Sequence, residues 1–114
     1  MIGIIFEVWP AEGHKEKYLE TAAEMRALLD EIDGFISVER FQSLTDPDKL
    51  LSISFFRDEE TVERWRNTIE HRKAQAMGRS KFFDNYRIRV VSTIRDYGKT
   101  ERAEVPADSV AIHG

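Results

Sequence analysis

Trp65 and His71 offer the clearest chemistry in this sequence of 114 residues. Trp65 falls in an apolar helical stripe with Val62 and Ile69. There it is either a core aromatic or a wall on which a planar molecule stacks, its indole N–H donating to a carbonyl. His71 titrates near neutrality and could pass a proton to or from a phenolic or enolate oxygen. In an unbroken helix it would point about 120° away from the Trp65 stripe and be a solvated surface residue. Asn67-Thr68 weakens that helix, and Thr68 could cap a further turn running to about Met77. A break there would bring His71 back over a pocket mouth.

Glu7 is the next candidate, a carboxylate inside the otherwise apolar run from Ile2 to Trp9. Burying it would be expensive unless it is paired or protonated. It reads either as the partner of an arginine such as Arg40 or Arg89 across a sheet, or as a base set against a substrate hydroxyl. Phe41, Phe55 and Tyr86 are aromatic sheet residues that could line a pocket or fill it. Arg87, Arg89 and Arg95 alternate along one segment and read as an inter-subunit ion ladder or a solvated edge, with Glu39 as a partner.

Absent residues narrow the chemistry further. The chain has no cysteine, which excludes disulfides, iron–sulfur clusters, thiolate metal sites and cysteine nucleophiles. There is no glycine-rich phosphate loop, no close histidine/carboxylate cluster and no serine elbow. The charges are mixed and sum to −4, so no basic surface is offered to nucleic acid. No apolar stretch approaches the roughly 20 residues of a bilayer span, and the first residues lack the regions of a secretion signal. The expectation is a soluble cytoplasmic protein with no metal. An enzyme so equipped would act by positioning, desolvation and a single proton transfer.

These residues must be held by six elements. Ile2 to Trp9 reads as a strand, closed by Pro10 and Gly13, and apolar on both faces. His14 to Ile32 is helical, with Tyr18, Ala22, Met25, Leu29 and Ile32 as its stripe. Phe35 to Leu44 alternates, setting Phe35, Ser37, Glu39 and Phe41 against Ile36, Val38, Arg40 and Gln42. A turn at Thr45-Asp46-Pro47-Asp48 leads to a strand from Leu50 to Phe56. Asp58 caps a second helix, and Phe82 to Tyr97 is the last strand. The order βαββαβ defines a ferredoxin-like α+β fold, four antiparallel strands with two helices on one face. The opposite face keeps apolar side chains that a second copy would cover. A homodimer is expected, closing a dimeric α/β barrel.

The segments Glu39-Arg40-Phe41, Leu50 to Asp58, Val62-Glu63-Arg64-Trp65-Arg66-Asn67, Glu70 to Gln75 and Tyr86 to Val90 resemble the antibiotic biosynthesis monooxygenase family. The resemblance covers about residues 1–97 as one domain and leaves residues 98–114 as a tail, mobile or packed on a partner subunit. It implies a homodimer with a pocket inside each subunit, between helices and sheet. It also implies oxygenation of a planar aromatic, phenolic or quinone-like molecule without a cofactor, with Trp65 matching by position a Trp that lines the pocket. The residues themselves add His71 to Trp65 as the catalytic candidates and Glu7, Phe41, Phe55 and Tyr86 as candidates to bind substrate. A haem-degrading branch places an Asn on the first strand and a His ten residues after the Trp. This chain has Glu7 and Gln75 at those places, which disfavours haem. The competing expectation is a non-catalytic small-molecule-binding or stress-response protein on the same barrel.

Overall fold

The structure is a computed structural model that describes the backbone of residues 1–75 and 83–108, and the side chains of residues 1–68 and 83–108. Six elements follow in the expected order: β1 (Ile2–Pro10), α1 (Lys15–Leu29), β2 (Phe35–Gln42), β3 (Leu50–Phe56), α2 (Glu59–Gln75) and β4 (Phe83–Ser92). The strands form one antiparallel sheet in the order β2-β3-β1-β4. Among the described residues no helix is long and apolar enough to cross a membrane.

Alternation of side chains decides what each face carries. Ile2, Ile4, Phe6 and Val8 of β1 point towards the helices, as do Leu50, Ser52, Ser54 and Phe56 of β3. Two apolar clusters fill the space beneath the helices. In the first, Leu29, Phe56, Val62 and Trp65 are buried against Ile2, Ile4, Met25, Ile32, Phe35 and Val38. In the second, Val8, Tyr18 and Leu50 pack with Phe6 and Phe83. Leu51, Ile53 and Phe55 point the other way, beside Gly3, Ile5 and Glu7 of β1.

The strict alternation expected of β2 is broken. Phe35 pairs with Phe56 but Ser37 pairs with Phe55, so Ile36 is an extra residue in a bulge. Phe35 therefore shares the helix side with Val38 and Arg40, where it meets the Phe56 ring at 5.7 Å. Strand β4 ends at Ser92, five residues short of the expected Tyr97.

Asp58 secures the start of α2. Its carboxylate accepts hydrogen bonds from the Thr61 backbone N–H at 2.8 Å and the Thr61 hydroxyl at 2.7 Å. Those two bonds, helped by Arg57, hold the carboxyl at about 2, below the usual range. Thr61 is itself fully buried against Gly34, where a Cβ would lie 2.4 Å from the hydroxyl oxygen. Gly34 also has φ of +97°, a conformation side chains resist.

Two stability predictions follow from this corner. Gly34→Ala should lose about 1–3 kcal/mol in urea unfolding, more than Gly13→Ala, since Gly13 shares a positive φ but has open space around its Cβ position. Asp58→Ala should lower the melting temperature at pH 7. Because the folded carboxyl is depressed, its contribution is present above the unfolded value of roughly 4 and is lost as pH falls towards 2. The gap between the two proteins should close over that window; a constant gap would mean the cap is not the cause.

Candidate functional site

Trp65 is only 8% exposed and is packed into the first cluster from the middle of α2. The helix is continuous through Asn67-Thr68, contrary to the break expected from sequence. Thr68 does not cap a new turn; its hydroxyl donates back to the Arg64 carbonyl at 3.0 Å, satisfying itself within the helix. His71 lies on this unbroken helix, and its side chain falls outside the described residues.

Between the two apolar clusters runs a polar seam that sequence reasoning did not assign to the site. Ser52 and Ser54 are buried on the helix side of β3. Arg40 of β2 pairs in register with Ser52, placing it on the same face. From α1, Tyr18 comes down with only 6% exposure. Burial pushes its hydroxyl above the usual phenol range, while the Arg40 guanidinium beside it pulls the other way. The Arg40 Nε is sealed from solvent and has no hydrogen-bond partner. No ion pair joins Arg40 to a carboxylate among the described residues. The signal was present in the alternation: Arg40 shares parity with Val38, so a cation interrupts the covered face of β2.

Tyr86 lies on the helix side as well, in register with Val8. Its ring meets Phe6 and Phe83 edge-on, each at 6.0 Å, and it remains 56% exposed. Glu7, Phe41 and Phe55 occupy the opposite face. Glu7 pairs with Lys49 at 2.7 Å and with Arg89. The Lys49 hydrogen bond and, beside it, Arg89 hold the carboxyl below its ordinary range against the opposing effect of desolvation, which weakens it as a base. Of the two arginines considered for this role, Arg89 fills it; Arg40 is across the sheet. Lys49 also sits 5.0 Å from the Trp9 ring centre, and the Trp9 indole donates to Asp46 at 2.9 Å. Phe41 and Phe55 border an open groove with Ser37, Glu39 and Ile53.

The expected site residues therefore divide between two faces. Trp65 and Tyr86 share the covered face with Tyr18 and Arg40. Glu7, Phe41 and Phe55 belong to the helix-free face. A second depression, at the strand ends, is bordered by Trp9, Pro10, Glu12, Asp48, Asp84 and Asn85. Among the described residues no three histidine or carboxylate groups are arranged to hold a metal ion.

A four-stranded antiparallel sheet with two helices over the face that carries Trp65, Tyr18 and Arg40 defines a ferredoxin-like α+β fold. The chain belongs to the antibiotic biosynthesis monooxygenase family, whose model matches residues 1–77. It is 42% identical over 90 residues to a jasmonate monooxygenase of Pyricularia oryzae, covering 79% of this chain and 42% of that protein. The chain thus spans less than half the length of that relative. It is 32% identical over 79 residues to YqjZ of Bacillus subtilis, covering 68% of this chain and 67% of the other. In fold it is similar to SnoaB, a cofactor-independent oxygenase from Streptomyces nogalater, with a TM-score of 0.67, 10% identity, and coverage of 83% and 94% of the two chains.

Trp65→Ala should lose about 3–5 kcal/mol of stability in urea unfolding, because the cavity left among Leu29, Phe56 and Val62 cannot fully collapse. Trp65→Phe should lose markedly less. Equal, small losses would show that the indole is not part of the core.

Proposed function

We propose that this chain is a cofactor-independent monooxygenase acting on a planar aromatic, phenolic or quinone-like molecule held between the helices and the sheet. The observation that carries the reading is the polar seam of Arg40, Tyr18 and Ser52 on the same covered face as Trp65, a face otherwise largely apolar. The name of the Pyricularia oryzae relative supports oxygenation as the reaction class.

The chemistry asks little of the protein. A ring-flanked CH2 group loses a proton and the resulting carbanion reduces dioxygen. Dioxygen then bonds to that carbon, and O–O cleavage with loss of water leaves a carbonyl. One oxygen atom enters the product and the other enters water, so no further reductant is needed. Trp65 supplies the stacking wall, and the first proton passes to a general base. Closure beneath the helices excludes bulk water and so strengthens each polar contact to the substrate anion.

A second reading, a non-catalytic binding or stress-response protein, is favoured by one observation: Trp65 is tightly packed by its own neighbours. The two readings part in an oxygen-electrode assay with a panel of anthrone-like phenols. The enzyme should consume oxygen with at least one of them, and Trp65→Phe should lower the rate by about tenfold or more; an unchanged rate in His71→Ala would exclude that histidine as the base. Binding without oxygen uptake would leave the non-catalytic reading.

We also propose a homodimer closed through the helix-free face. Ile5, Ile53, Phe55 and Phe41 lie there with no layer above them among the described residues, and Phe41 is 43% exposed. Sedimentation should report a dimer at micromolar concentration, and Ile53→Glu should yield folded monomer. A monomeric wild-type chain would refute the assembly without touching the chemistry.

A further inference from the structure

The chemical oddity of the covered face is Arg40. It is half-buried, with its Nε closed off from solvent. A sealed guanidinium N–H without an acceptor is costly, and folded interiors usually give such groups a partner. Glu7 shows that this sheet does so elsewhere: its carboxylate, on the other face, is gripped by both Lys49 and Arg89. Arg40 has Tyr18 beside it and Ser52 opposite it, and its sealed Nε has no partner. The described carboxylates all pair elsewhere or leave it alone.

The geometry points to Arg40 and Tyr18 as the end of the pocket that recognises an anionic oxygen on the substrate, a carboxylate or the oxyanion of a deprotonated phenol. This deepens the monooxygenase reading and rests on it, by fixing which way the planar molecule lies: charged oxygen at β2 and α1, rings towards Trp65. Arg40 offers a fork of N–H donors suited to such an oxygen. The Tyr18 hydroxyl, kept protonated by burial, adds a further donor. Both groups are specificity-determining here, since they hold the substrate's charge and not the reacting carbon.

Isothermal titration of the full chain with 2-naphthoate and its neutral isostere 2-naphthamide tests this. The wild type should bind naphthoate about tenfold or more tightly than the amide, the size of a charge-assisted pair. Arg40→Gln should abolish that preference while retaining amide binding, and Tyr18→Phe should reduce it. A third probe, 2-naphthol, distinguishes the two anion sources. Affinity that rises as the naphthol ionises, and rises less in Arg40→Gln, assigns an oxyanion; affinity independent of its ionisation, beside tight naphthoate binding, assigns a carboxylate. Equal wild-type affinity for naphthoate and naphthamide would overturn the anion subsite and leave the planar pocket standing. Binding of none of the three would overturn both. The wild-type comparison stands even if Arg40→Gln fails to fold.

Discussion

The constraint on which this molecule turns is a four-stranded sheet that is apolar on both faces but has helices over only one. Period-two alternation allots each residue of β1 and β3 to one side without compromise. The helix side receives Phe56, Val8 and, from above, Trp65 and Tyr18. The other side receives Ile5, Ile53 and Phe55. Everything said about the site depends on this division, because a side chain on one face cannot serve a pocket on the other within a single chain.

Charge is handled differently on the two faces. On the helix-free side, Glu7 joins β1 to β4 through Arg89 and to the entry of β3 through Lys49, so a carboxylate amid Ile5 and Ile53 is neutralised in place. Lys49 in turn lies over Trp9, whose indole holds Asp46 in the hairpin loop. The side-chain amide of Gln42 donates to the Lys49 carbonyl at 3.0 Å and steadies the same loop. On the covered side, no ion pair reaches the Arg40 guanidinium among the described residues. The proposed anion subsite rests on that asymmetry.

Much of this architecture was legible before any coordinates. The limits of β3, Leu50 to Phe56, follow directly from its alternation, and the stripe of Tyr18, Ala22 and Leu29 identified the buried side of α1. Family membership was legible from the β3 exit and the Trp65 helix. Two features were not. The bulge at Ile36 leaves no mark in a sequence that alternates well on paper, since an extra residue shows only in the register with the neighbouring strand. The continuity of α2 was hidden because Thr68 has two outlets for its hydroxyl, a cap or an i−4 carbonyl, and only packing chooses between them. Arg40 was in view but was considered only as a partner for Glu7, because the residues alone do not say which strand faces agree.

The most direct test is a crystal structure of the protein soaked with an anthrone-like phenol. The account predicts ring density on the covered face, between the Trp65 indole and the Arg40 guanidinium. Density confined to the Phe41 and Phe55 groove, with the covered face still filled by its own side chains, would contradict it.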